Sequence, residues 1–192
     1  DKLRVCMDST ATRIHEALQA VALLREQHAA DRELMRASAD IKRFQAMRFR
    51  ATYADVLASS RYKTAAAFFL HELYSDKDYA ERDQQFARIA STIAKLFPQA
   101  VVNTAAALAE VHALTEKLDD LMAQQWRASR KSFPDLDDNA RYIACWQQVG
   151  DMQARQKQLE VVLLLGTELN RLTRTAGLRT LLKMMRRPAA VA

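Results

Sequence analysis

The first 97 residues contain neither glycine nor proline. The three glycines stand at Gly150, Gly166 and Gly177, and the three prolines at Pro98, Pro134 and Pro188. A β fold needs turn residues every ~8–12 positions, and this half of the chain offers none of the usual ones. It is rich instead in Ala, Leu, Arg, Gln, Glu and Met, the strongest helix formers. An all-α fold follows. At 192 residues, 49% hydrophobic and 27% charged, the chain has ordinary globular composition and length enough for one domain with a sizeable core.

Apolar spacing divides the chain into helices. Asp8, Ser9 and Thr10 offer N-caps, and Ile14, Leu18, Val21 and Leu24 form the first stripe. A charged stretch from Glu26 to Arg36 is either a break or a solvated part of one long helix. The stripe resumes at Ile41, Phe44, Met47, Ala51, Ala54 and Ala58. Ser59-Ser60 interrupts it. Tyr62, Ala66, Phe69 and Leu73 line a further helix, with Ser75-Asp76 as its boundary, and Phe86, Ile89, Ile93, Leu96 and Phe97 line another that Pro98 stops. The most regular seam is Val101, Ala105, Leu108, Val111, Thr115, Leu118 and Met122, in alternating steps of three and four. Ser132 to Asp138 reads as a loop, and Asp137 or Asp138 caps a helix carrying Tyr142, Cys145, Trp146 and Val149. Leu159, Val162, Gly166 and Leu169 form a late seam whose glycine permits close helix approach. Leu178 to Arg187 forms a last short helix before Pro188. This predicts seven or eight helices with short connections, hence an antiparallel helical bundle without a sheet. The expected organisation is a single helical domain over 1–192, with an N-terminal helix over 8–38 free to protrude.

The formal net charge is +6, from 29 Lys+Arg against 23 Asp+Glu. The charges are interspersed, as on a solvated surface. One basic patch stands out, Arg179, Lys183, Arg186 and Arg187. Set against Leu178, Leu181, Leu182 and Met185, it suits nucleic acid or an anionic membrane surface, and equally a terminal helix packed on the bundle. Two cysteines, Cys6 and Cys145, make neither a metal motif nor a disulfide framework and suggest a cytoplasmic protein. No apolar leader is visible, and the longest apolar run, Val161 to Leu165, is far short of a membrane span.

Chemical motifs are sparse. The four histidines, His15, His28, His71 and His112, include no Glu-x-x-His pair of the di-iron type. No nucleophile elbow, phosphate loop, dinucleotide fingerprint or zinc motif occurs, so no metal ligand or catalytic residue is assigned and any cofactor is unknown. His112 and Glu116 share a helical face one turn apart, as a partial site or as an ordinary surface pair. Glu72 lies among apolar neighbours in Phe68-Phe69-Leu70-His71-Glu72-Leu73-Tyr74, where a buried carboxylate requires a partner. If helices enclose a ligand pocket, its candidate lining is Phe68, Glu72, Tyr74, His112, Glu116 and Trp146.

The segment Tyr53 to Tyr62, followed by Ala66-Ala67-Phe68-Phe69-Leu70-His71-Glu72-Leu73-Tyr74, resembles the uncharacterised bacterial proteins named for an FFLEELY motif. Arg82-Asp83, His112 to Asp119 and Leu181 to Ala189 fit the same likeness, which spans roughly Tyr53 to Ala189. Position 71 is His where the name has Glu, which argues against any role that requires a carboxylate there. Members continue beyond the Arg-Pro-Ala stretch, so the end at Ala192 is expected to be a truncation or a trailing tail. The resemblance implies a helical, bacterial, cytoplasmic protein and carries no activity.

Taken together, the residues favour a helical protein acting through protein contacts, as a homodimer. The extra apolar faces Ile41/Phe44/Met47 and Phe49/Tyr53/Val56 motivate that expectation. The alternatives are a ligand- or cofactor-binding domain with the pocket above, and binding of nucleic acid or anionic lipid through the basic patch.

Overall fold

The computed structural model describes residues 2–72, 79–175 and 177–178, with backbone alone at residues 2–9 and at Glu72. The described residues form eight helices and no strand: α1 (Lys2–Ala30), α2 (Arg32–Thr52), α3 (Ala54–Ala58), α4 (Lys63–Glu72), α5 (Ala80–Leu96), α6 (Gln99–Ser132), α7 (Asp138–Val149) and α8 (Met152–Thr173). The all-α reading holds. None of the described helices is long and apolar enough to cross a membrane.

The breaks follow local chemistry. The charged stretch after Glu26 does hold one, at Asp31. Its backbone is extended and its carboxylate accepts from the amides of Glu33 and Leu34, so it caps α2 one residue after α1 ends. The helix expected over 8–38 is therefore parts of two. Pro98 stops α5: Phe97 before it is extended, and the Pro98 carbonyl accepts from Val101 and Val102 to open α6. Asp137 caps α7. Gly150 and Asp151 both take positive φ, at 59° and 48°, which ends α7 within two residues, and Asp151 then caps α8 by accepting from Ala154.

Two compact units are formed. The first comprises Asp1–Arg25, Tyr79–Lys117 and Asp151–Ala192, and the second Glu26–Asp78 and Leu118–Gly150. Helices α1 and α6 contribute a segment to each.

In the first unit, α6 is the centre. Helix α5 runs antiparallel to it: Asp83 meets His112 at one end, and Ala94 and Phe97 pack with Val102 at the other. Helix α8 is also antiparallel to α6, with Gln158 donating to Thr115 and Leu172 packed near Val102. Ile14, Ala17 and Leu18 of α1 pack with Ala90, Ala106 and Ala109. At the start of α6 the buried residues are thus Val102, Ala106 and Ala109, one position along from the expected Val101, Ala105 and Leu108, and Leu108 is exposed, whereas Val111, Leu118 and Met122 of the expected seam are buried. The cause is crowding. With α1, α5 and α8 all packed on α6, methyl-sized side chains face inward, where short interaxial distances are needed, and the leucine falls outside.

In the second unit, α2 lies antiparallel to α6. Gln45 donates to Asp119, and Lys131 pairs with Glu33 twelve residues further along in each direction. Leu34, Ala37, Ile41 and Phe44 pack on Met122, Ala123 and Trp126, with Tyr142 and Cys145 of α7. The later part of the expected α2 stripe is solvent-facing: Met47, Ala51, Ala54 and Ala58 are exposed. On α4 the buried residues are Ala66 and Leu70, while Phe68 and Phe69 are exposed.

Candidate functional site

The most concentrated polar cluster in the first unit surrounds Asp83. This residue sits on the first turn of α5, 5% exposed. Its Oδ2 accepts from Arg25 at 2.7 Å and lies 3.0 Å from Nε2 of His112, and its Oδ1 accepts from Arg82 at 3.1 Å. Arg82 in turn lies 4.0 Å over the ring of Tyr79. Burial alone would push the Asp83 carboxyl up. The hydrogen bonds from His112 and Arg25, together with their charge, outweigh it and hold the group well below the usual carboxylate range. A carboxylate with both oxygens occupied and so low a proton affinity is a poor general base. It is a hub that joins α1, α5 and α6. His112 therefore turns to Asp83 on another helix, a partner that the His112/Glu116 spacing did not suggest.

The second unit has its own buried polar groups. His28 Nε2 lies 2.7 Å from Asp120, which also accepts from Gln124, and Gln45 donates to Asp119. Arg141 is 1% exposed and donates to the Ser129 hydroxyl and to the carbonyls of Phe133, Pro134 and Leu136. It thereby ties the 133–137 loop to α7. The signal for it in the sequence was its place beside Tyr142 and one turn before Cys145, on the buried side of α7. Cys145 is a buried free thiol, and burial pushes its pKa up, away from the thiolate that nucleophilic chemistry needs. Among the described residues, no group of three or more His, Cys, Asp or Glu side chains is arranged to hold a metal ion.

The candidate pocket residues fall in different places. His112 and Glu116 lie on α6 in the first unit. Phe68 on α4 and Trp146 on α7 lie in the second. Phe68 is exposed, edge-on to Phe69 with ring centres 6.2 Å apart, and Trp146 lies 6.3 Å from Tyr142. The Glu72 side chain and Tyr74 lie outside the described residues, as do Arg179, Lys183, Arg186 and Arg187 of the basic patch. Elsewhere the basic side chains are often paired: Arg127 with Asp31, Lys131 with Glu33, and Arg130 with Asp40 and Asp138.

Helix α8 presents an apolar surface that the expected seam mislocated. Its buried side carries Val161, Leu165 and Leu172, of which Leu165 and Leu172 are almost fully covered. The residues expected to be the seam, Leu159, Val162, Gly166 and Leu169, lie on the exposed side with Met152 and Leu163. The five apolar side chains among these are between 48% and 80% exposed. The helix has two apolar stripes, and periodicity alone could not say which one its own unit covers.

A family model described as "Domain of unknown function (DUF8198)" matches residues 24–192. The chain belongs to this family. Every residue of the Asp83 hub and the whole of α8 lie inside the DUF8198 region. No curated protein and no solved structure matches the chain.

Proposed function

We propose that this DUF8198 protein acts through protein–protein contacts, as a homodimer, rather than through chemistry of its own. The observation that supports this reading is the second apolar stripe of α8. Single exposed apolar residues are normal on any protein surface, but a contiguous row along one helix is the mark of an interaction surface. The charged clusters fit the same reading. Asp83 is satisfied by Arg25, His112 and Arg82, and both terminal nitrogens of Arg141 donate, to the Ser129 hydroxyl and to carbonyls of the 133–137 loop, which suits scaffolding. The likeness around Phe68-Phe69-Leu70 suggests a bacterial protein of the FFLEELY kind. The buried free thiol of Cys145 fits a reducing, cytoplasmic setting.

Sedimentation velocity of the purified protein across micromolar concentrations tests the proposal. A species with the mass of two chains is expected to build up with concentration. A single-chain mass at every concentration overturns it.

A further inference from the structure

We infer that the exposed stripe of α8 is the face on which a second copy of this chain docks, with the two α8 helices antiparallel across a two-fold axis. The inference rests on the homodimer reading and assigns it a surface.

The stripe has the period of a helix partner. Met152, Leu159 and Gly166 recur every seven residues, as do Val162 and Leu169, with Arg155 one repeat before them at the start of the helix. This is the two-position heptad repeat by which one helix packs along another. Among the described residues of the unit that contains α8, the packed side of the helix is that of Leu165 and Leu172, and the stripe is left about half exposed or more. The stripe is also complementary to itself. Its one gap is Gly166, where an added Cβ would meet nothing within 4 Å. Leu159, two turns earlier, is a matching knob. An axis passing midway between Val162 and Leu163 sets Leu159 of each copy opposite Gly166 of the other, and Val162 opposite Leu163. A closed two-fold pair of this kind uses the same patch on both copies.

Charge leaves this face open to the same occupant. A chain with net charge +6 repels its own copy over much of its surface. The centre of this stripe carries no charge, and Gln156, Thr167 and Asn170 beside it are neutral. Of the charged residues near it, Glu160 accepts from Gln156 at 2.9 Å and Glu168 from Arg171 at 2.6 Å, and Arg155 lies toward the start of the helix, away from the axis. Helix α8, with 22 residues, is about 33 Å long. The five exposed apolar side chains of the stripe offer on the order of 500 Å² per copy, the larger part of the roughly 800 Å² that a standard interface buries on each side.

The test uses the full chain and two variants. Gly166 is exposed and an added Cβ there meets nothing within 4 Å, so Gly166→Leu is expected to fill the gap and keep the fold, as circular dichroism and the thermal midpoint will report. The dimer dissociation constant is expected to rise at least tenfold. Leu163→Cys, made in a Cys6→Ser background, is expected to form an intermolecular disulfide near the axis under mild oxidation. If the wild type dimerises while Gly166→Leu keeps the wild-type constant and Leu163→Cys fails to cross-link, the α8 assignment is overturned and the homodimer survives on another face. If the wild type is a monomer throughout, both are overturned.

Discussion

The two units pack the same long helix in opposite ways. Around the first part of α6, one cluster is built largely from small residues: Ala90, Ala106 and Ala109 are almost wholly buried beside Ile14 and Leu18, with Phe97 and Leu172 packed on Val102 nearer the start of the helix. Around the later part it is built from rings. Phe44 stacks on Tyr142 at 4.7 Å and lies 6.1 Å from Trp126. An alanine core brings helices close but removes little apolar area per residue, so the first unit leans on the Asp83 hub to fix how α1, α5 and α6 align. An aromatic core removes a large area with few residues, and its register follows from ring packing. The same helix can therefore depend on volume in one place and on charge geometry in another.

Trp126→Ala should have the largest effect. It deletes a side chain 1% exposed at the centre of the ring core and should cost about 3–5 kcal/mol, read by chemical denaturation. Asp83→Asn should cost roughly 2–3 kcal/mol, below the full cost of breaking a buried pair because Arg25 and Arg82 keep access to water. It should also alter the pH profile. The folded-state pKa of Asp83 is depressed, so its contribution is complete above the ordinary carboxylate value of 3.8 and is lost as pH falls below it. Wild type should lose stability more steeply than Asp83→Asn on acidification below about pH 4. If the two profiles run parallel, the hub does not carry the first unit as argued. Ala109→Leu should cost about 1–3 kcal/mol by overpacking. A neutral result would mean that the small-residue core is loose rather than close. Arg13→Ala, which removes an ion pair with Glu110 whose two side chains are nearly half exposed, should change stability by less than ~1 kcal/mol, and the change should shrink with added salt.

The helical class was legible because glycine and proline are absent from so long a stretch, and because Asp137, Asp151 and Pro98 mark helix boundaries by chemistry that acts locally. The stripe Ile14, Leu18 and Val21 was legible for a related reason: α1 has one strongly apolar side, and that side is buried. Position within the core was less so. On α6 the later seam residues Val111, Leu118 and Met122 were legible, but near its start Ala106 and Ala109 are buried, and alanine carries too little hydrophobic signal to outrank Leu108. On α8 two apolar stripes coexist, and choosing between them requires knowing where α6 lies. The Asp83 hub was hidden because Arg25, Asp83 and His112 are far apart in sequence, and nothing at the separate positions tells a buried carboxylate from a helix-start aspartate. The candidate pocket was assembled from residue types alone, and its described members lie on helices of both units.

Hydroxyl-radical footprinting read by mass spectrometry, on one sample diluted through the dimer transition, tests the central claim most directly. Met152 and Leu163 on α8 should be oxidised several-fold more slowly at high concentration than at low. Met35 and Met47 on α2, about half exposed, should react at the same rate throughout. Oxidation of the α8 residues that does not change with concentration, while the protein is dimeric, would contradict the account.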